Sequence, residues 1–185
     1  MSTFFVYILA AMAFWVPIKS HCYWPVTQKC LDDTAQHYVD IAKDIAEVIS
    51  EPGIKLPFTG DNYKAKSALL MISIATTESG FNRNVDSCKT VGDNGVAFGL
   101  WQTHTGREGT CSDRKVALRK AIEIVNQSFI MCKNFSLLDR MAGYTNGVCS
   151  TNSARSRIKM AKAIGYLTAH PYTEPTIEPI LAEED

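Results

Sequence analysis

Residues 61–81 read Asp61-Asn62-Tyr63-Lys64-Ala65-Lys66-Ser67-Ala68-Leu69-Leu70-Met71-Ile72-Ser73-Ile74-Ala75-Thr76-Thr77-Glu78-Ser79-Gly80-Phe81. Asp61 is a good helix cap, because its carboxylate can accept from backbone N–H groups left free in the first turn. Ala65, Leu69, Ile72 and Thr76 follow at three- and four-residue steps, the spacing of one helical face. The pattern runs towards Glu78 and Gly80. The stretch therefore predicts an apolar helix that ends on an acid.

The same period extends in both directions. Upstream, Leu31, Ala35, Tyr38, Ala42, Ile45 and Ile49 form one stripe over residues 31–50, and Glu51-Pro52-Gly53 stops it. Downstream, Val116, Ala117, Ala121, Ile124 and Phe129 mark a helix over 113–132. Ser136 with Asp139 resembles a capping box before a short helix ending near Gly147. Residues 152–168 read as a last helix, basic on the side of Arg155, Arg157, Lys159 and Lys162. Residues 80–112 are rich in Gly, Asn, Asp and Ser and hold no long periodic run, the kind of irregular stretch that carries function. There is no internal repeat and no alternating run long enough for a large sheet. The expected fold is mostly α, with room for a small β-hairpin within 85–103.

Phe4–Val16 is an uninterrupted apolar run of 13 residues closed by Pro17. That suits the hydrophobic core of a secretory signal and falls short of the roughly 20 residues that span a bilayer. Residues 1–20 are accordingly expected to be a signal peptide cut near Ser20, with a retained membrane anchor as the alternative. Residues 21–168 form the single domain, and 169–185 are an acidic, proline-containing tail without a fixed fold. A secreted or periplasmic location follows. The chain carries 19 basic and 19 acidic residues, yet the last 17 hold five acids and no Lys or Arg, so residues 1–168 have a surplus of five positive charges. That modest surplus can favour an anionic polymer, but it does not make a nucleic-acid binder.

Six cysteines, Cys22, Cys30, Cys88, Cys111, Cys132 and Cys149, are an even number in a chain expected to be exported, which points to disulfides. Cys22–Cys30 is the expected local pair, leaving the other four to staple the body. With no Cys-x-x-Cys pair and no His at ligand spacing, zinc is not expected.

For chemistry, Glu78 is an acid at the end of an apolar helix. A partly buried carboxyl group is costly to ionise, which is the property a general acid needs. Downstream, Asp93-Asn94-Gly95-Val96-Ala97-Phe98-Gly99-Leu100-Trp101-Gln102 sets glycines beside an aromatic residue and an amide, as where backbone approaches a ligand. Met141-Ala142-Gly143-Tyr144-Thr145-Asn146-Gly147 places a tyrosine between small residues that permit close helix packing.

In this order the three segments resemble the lysozyme-like superfamily of peptidoglycan-cleaving enzymes. Soluble lytic transglycosylases carry Glu-Ser ahead of Phe-Asn-Pro, then Gly-Leu-Met-Gln, then Ala-Tyr-Asn-Ala-Gly. The counterparts are Glu78-Ser79, Phe81-Asn82-Arg83, Gly99-Leu100-Trp101-Gln102 and Gly143-Tyr144-Thr145-Asn146-Gly147. Gly92-Asp93-Asn94-Gly95-Val96-Ala97-Phe98-Gly99-Leu100-Trp101-Gln102 is closer to the run of goose-type lysozymes. The resemblance covers roughly residues 62–165. Arg83 stands where proline is usual, Trp101 replaces methionine, and Thr145 takes the place of an asparagine. Thr103-His104 follows Gln102 where goose-type enzymes tend to have an aspartate.

What the resemblance implies is cleavage of the β-1,4 bond between N-acetylmuramic acid and N-acetylglucosamine in bacterial peptidoglycan. Glu78 is then the acid, and the missing aspartate leans the expectation towards transglycosylation, in which one carboxyl group serves twice. Asp93 is the second acid if the enzyme instead hydrolyses like a goose-type lysozyme. Ser79, Gly99, Trp101, Gln102, Tyr144 and Thr145 are the expected substrate-binding residues, with Trp101 offering a face to a sugar ring or filling the core. No cofactor or metal is needed. The expected partner is the glycan strand, with a membrane involved only through a retained N-terminal segment. A non-catalytic wall-binding protein on the same fold is a further alternative.

Overall fold

The computed structural model describes residues 2–104 and 109–174. Seven α-helices appear among them: α1 Thr3–Trp15, α2 Gln28–Ser50, α3 Tyr63–Glu78, α4 Arg83–Asp86, α5 Arg114–Met131, α6 Ala142–Asn146 and α7 Ala154–Ala169. The mostly α expectation is met.

The helix read from residues 61–81 is the centre of the molecule. It packs against α7, α1, α2 and α5, and Ala65 together with residues 67–75 is buried. A helix enclosed on all sides needs more than one apolar stripe. Ser67 and Ser73 occupy positions the sequence pattern left to solvent. Ser67 bonds back to the Tyr63 carbonyl at 2.7 Å, and Ser73 Oγ donates to the Lys159 carbonyl at 2.9 Å. Buried serines satisfied in this way add no periodic signal, so the single stripe understated how deeply α3 lies.

The flanking helices begin on side-chain caps. Thr27 accepts from Cys30 N at 3.2 Å, Asp113 from Lys115 N at 2.8 Å, and Ser153 from Ser156 N at 3.4 Å. The first turn of α2 is Gln28-Lys29-Cys30, which is why its apolar pattern shows only from residue 31. Near residue 136 the expected capping box is not formed. Ser136 Oγ bonds to the Asp139 carboxylate at 2.7 Å, and the chain makes only a 3₁₀ turn over Leu137–Asp139 before α6. Asp139 is 2% exposed because it serves Arg157 of α7 instead.

The apolar run at the start has a packed place in the fold. Ile8, Ala11 and Met12 of α1 are fully buried, and the helix lies on α2 and α3. Tyr172, at the start of the acidic tail, rests on Phe4 and Tyr7, so this part of the tail has a fixed seat. Residues 175–185 of the tail lie outside the described residues. Among the described residues, no helix is long and apolar enough to cross a membrane.

All six cysteines are paired, as Cys22–Cys30, Cys88–Cys111 and Cys132–Cys149. The local pair is the expected one, and three bonds of this kind belong to an oxidising environment. Cys88–Cys111 draws together the ends of the irregular stretch between α4 and α5. In place of a hairpin that stretch holds two single antiparallel bridges, Gly92 with Ala97 and Phe98 with Thr103. At its base Arg114 of α5 pairs with Asp44 of α2 at 2.5 Å and Asp86 of α4 at 2.7 Å.

Candidate active site

A cleft of about 640 Å³ opens between the end of α3, the two loops after α4, and α6. Glu78, Asp93 and Gln102 line it together with Tyr144 and Thr145. Residues from all three sequence segments thus share one cavity.

Glu78 is the last residue of α3, and its side chain is 30% exposed. Its setting differs from the apolar surround expected at the end of such a helix. Lys159 Nζ stands 2.7 Å from Oε1, and the lysine side chain is only 3% exposed. The basic face expected on the last helix therefore loses one member to the interior. Lys159 falls on the buried stripe of α7 with Ser156, Met160, Ala163 and Tyr166. A lysine on an apolar stripe was the available signal, and reading the four basic residues as one solvated face hid it.

Gly92, which entered the sequence reading only through the goose-type run, shapes the two loops. A Cβ on Gly92 would lie 2.0 Å from Gln102 Oε1, so no other residue fits there while the amide keeps its place. Gln102 Nε2 donates to the Gly99 carbonyl at 2.8 Å, and Gln102 itself adopts φ +47°. The amide thus braces both loops and also faces the cleft. Asp93 and Asn94 take φ +50° and +57°, a left-handed pair that Asp and Asn tolerate better than most residues. The turn presents Asp93 to the cleft, where His104 Nε2 lies 3.1 Å from its carboxylate. His104, which follows Thr103 after Gln102, is exposed and lines the same cleft.

Gly143 performs the close packing expected of it. A Cβ there would meet Met131 Cε at 2.4 Å and Ser128 Oγ at 2.8 Å, so the glycine lets α6 settle on α5. Tyr144 N then donates to Ser128 Oγ at 3.0 Å, and Tyr144 OH donates to the Trp101 carbonyl at 2.5 Å. Burial, and then the charge of Glu78, push the Tyr144 hydroxyl above its ordinary range, so it stays a proton donor. Thr145 directs its hydroxyl at the Met141 carbonyl, 3.2 Å away. Its oxygen keeps acceptor capacity towards the cleft.

Three expected binding residues do not line this cleft. Trp101 is 1% exposed and donates from Nε1 to the Met71 carbonyl at 3.1 Å, so its ring fills the core against α3. Gly99 takes φ +68° and faces Thr110 and Ala117, where it supports the turn. Ser79 bonds to the Ala75 carbonyl at 2.9 Å and accepts from Phe81 N at 3.3 Å, which closes the end of α3. These three residues shape the walls from behind. Arg155 and Asn146, which sequence reasoning did not single out as site residues, line the cleft from the start of α7 and the end of α6. Arg155 and Glu78 also border a smaller cavity of about 280 Å³ against Thr77 and Lys159.

Chemically, the arrangement combines an accessible carboxyl group, a second and more exposed acid, and amide and hydroxyl groups suited to a polyhydroxyl ligand. Among the described residues no cluster of His, Cys, Asp or Glu is gathered to hold a metal ion. Comparison with known protein families, curated proteins and solved structures returns no match to this chain.

Proposed function

We propose that this protein cleaves bacterial peptidoglycan as a lytic transglycosylase, with Glu78 as its single catalytic carboxyl group. The observation that carries the reading is the meeting of Glu78, Gln102, Tyr144 and Thr145, drawn from three separate segments, in one cleft. Glu78 protonates the glycosidic oxygen between N-acetylmuramic acid and N-acetylglucosamine as the bond from C1 breaks. The ionised Glu78 then takes the proton of the muramic C6 hydroxyl, whose oxygen closes onto C1 as a 1,6-anhydro ring. The nucleophile belongs to the sugar, so a second carboxylate is not required, unlike the usual two-carboxylate scheme. Gln102 and Thr145 orient the sugar, while Tyr144 holds the wall that faces Glu78. Export to an oxidising compartment, consistent with the three disulfides, brings the protein to its substrate.

Asp93 supports a second reading. It lines the same cleft with His104 at 3.1 Å, a pair suited to activating water for hydrolysis of the same bond, as in goose-type lysozymes.

Glu78→Gln tests the reading. The variant keeps size and polarity but cannot exchange a proton, so digestion of purified peptidoglycan should fall by about 10²–10⁴-fold. Mass spectrometry of wild-type products decides the route, because anhydro ends are one water lighter than reducing ends. Reducing ends throughout would move the assignment to hydrolysis with Asp93. A Glu78→Gln variant that digests the wall at the wild-type rate would reject the site, and intact wall with wild-type protein would leave a non-catalytic binding protein.

A further inference from the structure

We infer that Lys159 is the positioning residue of the Glu78 carboxyl group, committing Oε1 so that Oε2 is the oxygen that exchanges the proton; the inference rests on the glycan-cleaving reading above. An ammonium group is costly to bury unless it is paired and hydrogen-bonded. Lys159 is 3% exposed, and among the described residues Glu78 is the carboxylate it reaches, at 2.7 Å. The lysine's backbone is fixed to α3, because its own carbonyl accepts from Ser73 Oγ at 2.9 Å. Ser73 lies five positions before Glu78 on α3, so the two helices are pinned just behind the reacting group. Lys159 is the charge partner of Glu78 among the described residues and stands at Oε1, so Oε2 is the oxygen without a partner, on a side chain that lines the cleft.

That asymmetry matters for a carboxyl group used twice. In the first step the proton leaves Oε2 for the glycosidic oxygen as the C1–oxygen bond breaks, and negative charge appears on Glu78. The Lys159 ammonium already stands where that charge develops, a preorganised electrostatic contact that needs no rearrangement. In the second step Oε2 takes the C6 hydroxyl proton while the C6 oxygen bonds to C1. A Glu78 carboxylate without its anchor is less well aimed for this closure. Water then competes, giving its proton to Oε2 and its hydroxyl to C1, which yields a reducing end.

Lys159→Met keeps an unbranched chain of similar length without the charge. Its kcat on peptidoglycan should fall about 10- to 100-fold, since small misplacements of a reacting group cost about that much. KM should stay within about threefold of wild type, and the share of reducing ends among the products should rise. For rescue, Lys159→Cys introduces the single free thiol of a chain whose own cysteines are all paired. Alkylation with 2-bromoethylamine, with loss of bromide, restores an ammonium at lysine length and should recover most of kcat and the wild-type product ratio. Melting temperatures of Lys159→Met, Glu78→Gln and the double variant should be non-additive, because both single changes break one pair. Lys159→Met that cleaves like wild type, or stability losses that simply add, overturns the inference. So does a folded Lys159→Met whose loss lies wholly in KM, or alkylated Lys159→Cys that stays inactive although folded. Should Lys159→Met fail to fold, the alkylated and unalkylated forms of Lys159→Cys supply the comparison. Wild-type protein that leaves peptidoglycan intact overturns the functional reading itself, and with it the catalytic use of the pair.

Discussion

Asp139 accepts from Arg157 Nε at 2.8 Å and Nη2 at 2.9 Å, from Ser136 Oγ at 2.7 Å and from Asn152 N at 3.1 Å. The Arg157 bonds first, then Ser136, hold its carboxyl down at about 2. An unfolded aspartate titrates near ~3.9, so the folded state binds its proton more weakly. Stability from this group is complete above about pH 4 and is lost as pH falls towards and through about 2. Melting temperatures of wild type and Asp139→Asn should therefore differ at pH 5 and converge towards pH 2. A constant gap across that range would show that Asp139 contributes nothing through its charge. The residue also shows what a sequence conceals. Ser136 and Asp139 carry the letters of a capping box, but the buried acid serves an arginine 18 positions away. Long-range pairing of this kind leaves no local pattern of its own, and the Lys159–Glu78 pair, across 81 positions, showed locally only as a lysine on the apolar stripe of α7. Glu78, Gln102, Tyr144 and Thr145 were singled out because three short segments in order resemble known motifs, and all four line one cleft.

Among the elements, helices with an apolar stripe were readable, but the caps read at Asp61 and Ser136 are not made, since α3 starts after Asn62 without a side-chain cap and Ser136 bonds to Asp139. The connection between α4 and α5 was not readable either. Its shape depends on Gly92 admitting the Gln102 amide, on two single bridges and on Cys88–Cys111, none of which repeats along the chain. The disulfide joins residues 23 apart and encloses both cleft loops. Crosslinks of this kind contribute about 2–4 kcal/mol. Its loss should act mainly on the cleft, because α3, the centre of the core, touches neither cysteine through a covalent link. Cys88→Ser with Cys111→Ser is expected to keep its helical circular dichroism at 25 °C and to melt lower. Under the proposed function, glycan cleavage should fall further than the modest stability loss explains, as Gln102 and Asp93 lose their fixed frame. Proteolysis should find the new weak point within residues 88–111. Wild-type cleavage by this double variant would show that the loops need no staple.

At the scale of the whole molecule, the N-terminal segment carries two physical messages. Its 13 apolar residues have the length of an export signal, yet as α1 they bury Ile8, Ala11 and Met12 completely and cover α2 and α3. Hydropathy reports only that the segment avoids water, and a translocation channel and a protein core satisfy that preference equally. Sequence periodicity could not separate the two, because a helix that is apolar all round shows no stripe. The fold makes a definite statement about the cost of losing it. Removing residues 1–20 uncovers the surface under Ile8 and Met12, frees Tyr166 of its contacts with Tyr7 and Trp15, and breaks the bond from Tyr38 OH to the Val16 carbonyl. Burying a large apolar side chain is worth about 1.5–3 kcal/mol, so several such losses approach the whole stability of a small domain. A chain beginning at His21, refolded with its three disulfides, should melt well below the chain beginning at Met1 and bind an apolar dye strongly. None of the residues lining the cleft belongs to α1, so under the proposed function activity per folded molecule should survive even as the folded fraction drops. Equal melting temperatures for the two chains would mean that α1 contributes no net stability and that the domain is complete from His21 onward.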